Sequence, residues 1–249
     1  MHILRTRFKK DIVTEFLPPM NPSSKIIILC SGIPSYPSKK ELMEFFSKKG
    51  YWVFLPRYRG SWESDGSFLK ESPHQDIIDI IDDLPNGFKN MWDGKIFSIK
   101  PSSIYLFGSS FGGPAMILTS VDKRVTKVVA LSPVIDWVEQ DKIESLDNLK
   151  KFIENGFGNG YRINSSDWVK LKTGTFYNPA TFEGKIDGSK IFIFQNEDDQ
   201  TVPYVPTVEF SKKINCRLML MKKGGHMSIQ QLLDKKFYKK VLSFIRKKS

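Results

Sequence analysis

The sequence predicts an α/β protein built on a mostly parallel, twisted sheet with helices on both faces. Three observations carry this. Short β-branched or aromatic runs alternate with segments of helical periodicity along the chain, as parallel strands joined by crossover helices require. The first internal run, KIIILC at Lys25–Cys30, is apolar after its opening lysine, as in a strand buried on both faces. A later run, SIYLF at 103–107, passes without a gap into Gly108-Ser109-Ser110-Phe111-Gly112 and then a helical stretch at 111–120.

The elements follow in order. The opening MHILRTRFKKDIVTEF alternates like a first strand. It lacks the roughly 7–15-residue apolar core of a signal peptide, so a cytoplasmic protein is expected. Further strands are expected at 51–55 (YWVFL), 125–131 (VTKVVAL), 190–194 (KIFIF) and 217–221 (RLMLM). The spacing predicts helices over 39–49 and 72–84, and a single last helix over 228–246. Ser72 is expected as N-cap of the second, with Pro73 at its first position and Gln75 completing a capping box. The stretch 136–185 breaks this rhythm, because a strand-to-strand crossover needs only a dozen or so residues. It is read as a helical insertion over one end of the sheet, inside a single domain spanning 1–249; an ordinary long loop is the alternative.

Composition narrows the function classes. In 249 residues, 40% apolar, the 38 Lys+Arg against 27 Asp+Glu leave a net charge of +11. Only 8 of those 38 are arginine, and the lysines are scattered in pairs. Base and phosphate recognition favours clustered arginine, so a solvated surface is expected rather than a specific nucleic-acid binder. No apolar run approaches the ~18 residues of a membrane span. Two cysteines make no disulfide framework, and no His/Cys spacing suits zinc, so neither metal nor organic cofactor is expected.

The pattern Gly108-x-Ser110-x-Gly112 between strand and helix is the candidate chemistry. A serine on a sharp strand-to-helix turn needs small residues two positions away on either side. It also sits at a helix N-terminus, where amides and the dipole stabilise negative charge. Such a nucleophile needs a base. His2 lies at the terminus, and His74 is expected to be solvated in the first turn of a helix. His226 follows two glycines at a strand's C-terminal end, where sites on α/β sheets are built. The orienting acid should lie between serine and histidine. The loop Glu197-Asp198-Asp199 after KIFIF offers three candidates, which spacing does not separate.

These residues together resemble the α/β-hydrolase superfamily over nearly the whole chain. The segment Asp199-Gln200-Thr201-Val202-Pro203 is similar to the family's D-x-x-V-P pattern, which implies Asp199 as the acid, with Asp198 in reserve. The loop from Arg57 to Gly66 resembles the R-G-x-x-x-S-x-G loop of single-domain esterases, dienelactone-hydrolase-like proteins and prolyl-oligopeptidase-type catalytic domains. A chain this long would not hold the propeller that gates the oligopeptidases by size. Where many relatives carry His-Gly, this chain has Ser31-Gly32-Ile33-Pro34. The resemblance implies an oxyanion hole formed by the backbone N–H groups of Ile33 and Phe111.

A serine hydrolase cleaving a carboxylic ester or related acyl bond through an acyl-enzyme on Ser110 is therefore expected, with a small acyl compound as substrate. An acyltransferase or thioesterase on an anionic acyl donor, a small peptidase, and a non-catalytic binding module are the alternatives. Trp62, Trp137 and Trp168 are candidates for the pocket wall.

Overall fold

The computed structural model describes residues 2–247. The chain opens with an antiparallel hairpin of β1 (Leu4–Phe8) and β2 (Ile12–Leu17). Its turn holds Lys9 and Lys10 at φ +45° and +68°, the backbone hand that matches the twist of paired strands. Apart from a separate two-stranded antiparallel ribbon of Phe88–Lys89 and Ile96–Phe97, six further strands join this hairpin: β3 (Lys25–Cys30), β4 (Trp52–Pro56), β5 (Ser103–Ser109), β6 (Val125–Leu131), β7 (Ile191–Asn196) and β8 (Arg217–Met221). They form one eight-stranded sheet in the order β1-β2-β4-β3-β5-β6-β7-β8. Only β2 runs against its neighbours; all other pairs are parallel.

Strand alternation divides the core in two. On β3, Ile26, Ile28 and Cys30 face one apolar layer, and Ile27 and Leu29 face the other. The second layer is closed by α1 (Lys40–Ser47) and α8 (Lys235–Arg246) through Leu42, Phe46, Val241 and Ile245. The first is closed by α2 (Pro73–Asp83), α3 (Gly112–Thr119) and α7 (Tyr204–Lys213). Because helices cover both faces, the central strands are largely apolar. Each large side chain taken from water there contributes about 1.5–3 kcal/mol.

Three local expectations need correction. Ser72 takes the N-cap position of α2 and Pro73 opens it, but the Ser72 side chain makes no cap bond and no capping box forms. The Ser72 hydroxyl pairs with His74 Nδ1 at 2.7 Å, and Gln75 Nε2 donates to Asp79 instead. His74 is half-buried rather than solvated, and burial pushes its pKa down. The last helix is not continuous. A 3-10 turn, Ile229–Leu233, carries a capping box of Ser228 and Gln231. Asp234 then interrupts, its carboxylate accepting from the Lys236 amide at 2.7 Å to start α8 afresh. A short acidic side chain that competes for backbone N–H groups favours caps over helix interiors.

The segment 136–185 is helical, not a plain loop. It contains α4 (Trp137–Ile143), α5 (Leu146–Phe157), α6 (Ser165–Trp168) and 3-10 turns. It is stitched to the 57–68 loop by backbone bonds. Trp62 N donates to Gly160 O, Phe68 N to Arg162 O and Arg162 N to Gly60 O, each at 2.8 Å. Gly60 has φ +73°, and a Cβ there would lie 1.9 Å from the Phe68 nitrogen, so no other residue fits that crossing. Arg57, almost fully buried, anchors the same loop through Glu15 at 2.9 Å and Glu63 at 3.1 Å.

Parallel register brings the strand ends level. Cys30 pairs with Gly108, Gly108 with Ala130, Leu131 with Phe194, and Asn196 with Met221. The loops that leave these strands therefore open on one rim. The sheet order reverses beside β3 and β5, which is where open α/β sheets form a crevice. Among the described residues, no helix is long and apolar enough to cross a membrane.

Candidate active site

Ser110 leaves β5 with φ +51°, the left-handed backbone that non-glycine residues adopt only when the surroundings enforce it. The flanking glycines explain how. A Cβ on Gly108 would lie 2.4 Å from the Gly112 carbonyl oxygen, and one on Gly112 would lie 2.3 Å from that of Cys30. Both positions require hydrogen for the turn to close. Gly32, after β3, backs directly onto the serine, since a Cβ there would come 2.9 Å from the Ser110 Cβ. Among the described residues, the amides of Ile33 and Phe111 donate to no protein acceptor. Ile33, Phe111 and Ser110 all line one cavity of about 170 Å³.

His226 lines that cavity too. The preceding Gly224 and Gly225 have φ +150° and +61°, and Gly224 packs against Asn196, where a Cβ would meet the amide nitrogen at 2.7 Å. Asn196 Nδ2 donates to Gly225 O at 2.7 Å. Asp198 accepts from the amides of Gly224 and Gly225 at 3.2 and 2.9 Å, so it holds the loop and does not meet the ring. Asp199 does, with His226 Nδ1 at 2.9 Å from Oδ2 and 3.1 Å from Oδ1.

The Asp199 side chain is fully buried and His226 partly open. Burial alone would raise the Asp199 pKa. The His226 contact and the Val202 amide outweigh it and hold the carboxyl below its usual value. Thr201 N and Val202 N both donate to Oδ1 at 3.0 Å, and Gln195 Nε2 donates to Oδ2 at 3.3 Å. An ionised carboxylate only accepts, so Nδ1 carries the ring proton and Nε2 is left as a base. No direct hydrogen bond joins the Ser110 hydroxyl to the ring among the described residues. Such contacts often tighten only when substrate is bound.

Of the tryptophan candidates, Trp137 lines the Ser110 cavity. Trp62 lines a neighbouring one with Ser31, Gly32 and Tyr58, in an aromatic group with Tyr36, Phe157 and Tyr161. Trp168 is buried with its indole N–H on Leu146 O at 3.0 Å, away from both cavities.

Sequence reasoning missed several supports. Ser132 (φ +42°) accepts from the Met227 amide at 3.1 Å and helps hold the Asp199 charge. The Tyr177 hydroxyl donates to Phe111 O at 2.6 Å and accepts from Ala115 N at 3.1 Å, so the insertion braces the serine turn. Gln140 and Glu144 also line the cavity. The Ser132-Pro133 pair after β6 was a readable signal; the long-range tyrosine bond had none.

Sheet order, turn and loop placement together define an α/β-hydrolase fold. More narrowly, the chain belongs to the prolyl oligopeptidase family, a serine hydrolase family whose model matches residues 37–249. Among solved structures, it is similar to the Pyrococcus furiosus esterase Pf2001 (TM-score 0.70, 18% identity, 98% of this chain and 90% of that one). It is similar to Est1E from Butyrivibrio proteoclasticus bound to ferulic acid (TM-score 0.69, 19% identity, 98% and 99%). It also resembles the Pyrococcus horikoshii acylaminoacyl peptidase (TM-score 0.68, 15% identity, 98% and 40%). A comparison with curated protein sequences finds no match.

Proposed function

We propose that this chain is an esterase that cleaves short carboxylic esters through an acyl-enzyme on Ser110. The observation that carries the reading is the engagement of His226 Nδ1 by buried Asp199 while the ring borders the same cavity as Ser110. Ser110 Oγ attacks the carbonyl carbon, and His226 Nε2 takes its proton and returns it to the departing alkoxide. Water then repeats the sequence on the acyl-enzyme. Asp199 fixes the tautomer and stabilises the imidazolium. The Ile33 and Phe111 amides stabilise the tetrahedral oxyanion, each worth about 3–4 kcal/mol in comparable sites. The small cavity favours a short acyl group, and segment 136–185 acts as its cap.

Peptidase action is the second reading, favoured by the family itself and by the acylaminoacyl peptidase likeness. Turnover of p-nitrophenyl butyrate against an aminoacyl p-nitroanilide separates the two. Ser110→Ala should remove nearly all turnover and all labelling by a fluorophosphonate probe. Equal rates in the variant reject the assignment.

A further inference from the structure

Glu144 stands at the C-terminal end of α4, in the wall of the cavity that holds Ser110 and His226. It is half-buried and has no ion-pair partner among the described residues. Among the described residues, its one side-chain hydrogen bond is a long contact, 3.5 Å, from Gln140 Nε2. Gln140 is itself nearly fully buried and pinned by a 2.8 Å bond to Thr201 O, so it locates the carboxylate without neutralising it. Burial raises the Glu144 pKa, the His226 ring draws it back, and the Asp199 charge pushes it up again. The surrounding wall is otherwise largely apolar, with Trp137, Leu149, Phe152 and Val134.

A lone carboxylate in an apolar wall is poorly solvated, and a cation that enters beside it recovers the lost interaction. A carboxylate-bearing substrate would meet repulsion instead. About 170 Å³ is room for roughly five or six water-sized groups. Ser110 and Glu144 thus border the same few substrate atoms. We propose that Glu144 makes this site selective for acyl groups that carry a protonated amine within the first few atoms of the scissile carbonyl, and that it excludes acyl groups carrying a carboxylate there. The inference rests on the reading of Ser110 as nucleophile. It also speaks against the anionic acyl donor expected as an alternative.

Two trios of benzyl esters isolate the charge at nearly constant shape. The first is alanine benzyl ester, benzyl isobutyrate and monobenzyl methylmalonate. The second is β-alanine benzyl ester, benzyl butyrate and monobenzyl succinate, with the charge one carbon further out. Benzyl alcohol release, corrected with Ser110→Ala, gives kcat/KM at pH 6.5. In at least one trio the ammonium ester should exceed its methyl isostere by about tenfold or more, the scale of a charge-assisted hydrogen bond, and the carboxylate ester should be the slowest. Because an ammonium group also activates the carbonyl inductively, the readout is the change in ratio: Glu144→Gln should lower the wild-type ammonium-to-methyl ratio about tenfold, and Glu144→Lys should lower it further and favour the carboxylate ester relative to wild type. Taking a ratio removes any general effect on His226. The proposal is overturned if wild type shows no ammonium preference in either trio, or if Glu144→Gln leaves the ratio unchanged. Absence of Ser110-dependent turnover on all six esters removes the hydrolase reading itself, and this one with it.

Discussion

At position 199 a carboxylate collects two amides, a glutamine side chain and an imidazole as donors, with Ser132 also supporting its charge. Those donors decide the ring's tautomer. Asp199→Asn keeps the shape, but its amide must place the oxygen toward the Thr201 and Val202 N–H groups and the NH₂ toward His226. The ring then presents Nε2–H to the serine. Ester kcat should fall by about 10⁴ with the fold intact, as for the equivalent change in a serine protease; circular dichroism and single-substrate kinetics read both. The same donors make Asp199 a source of pH-dependent stability. Its native pKa lies below its unfolded value. The stabilisation is full above the unfolded value of about 3.9 and is lost as pH falls through the native one. Melting temperatures between pH 6 and 3 should drop less steeply in Asp199→Asn than in wild type. Parallel slopes would contradict the assignment.

The serine turn shows what an element contributes beyond its residues. Ser110 keeps its positive φ because β5, α3 and β3 approach too closely for any alternative. Gly112→Ala would force its methyl into the Cys30 carbonyl. Overpacking of that kind costs about 1–3 kcal/mol, and more where backbone must yield. Urea melts should register that loss, and kcat should fall more than stability alone explains, because the serine turn itself must shift. Unchanged melting and turnover would mean that the turn is looser than these contacts require.

Across the whole molecule, sheet order sets which side chains can ever meet. Cys30 ends β3 and Cys216 precedes β8, with β5, β6 and β7 between those strands. Both are free, and burial pushes the Cys216 thiol up to about 12 and the Cys30 thiol higher still. A thiol reagent should find two groups in denaturant without reductant and react slowly with the native protein. One group or none in denaturant would contradict the strand order. The same order explains why loops separated by up to about two hundred residues share one rim: parallel strands in register end together, so their exits converge.

Local chemistry made much of this legible. Two glycines around Ser110, two before His226 and an uninterrupted apolar β3 are short-range signals, because each reflects sterics or burial within a few residues. The fold class, and the choice of Ser110 and His226 as candidates, followed from them. Proximity alone settled the rest. Asp198 and Asp199 are chemically equal neighbours, and only the path of the β7 loop turns one to the ring and the other to the Gly224 and Gly225 amides. Three tryptophans looked alike in composition, yet packing sent one to the Ser110 cavity, one to its neighbour and one into the core. Glu144 and the Tyr177 brace gave no pattern at all. Their roles depend on where an insertion docks, and docking is governed by contacts between segments far apart along the chain.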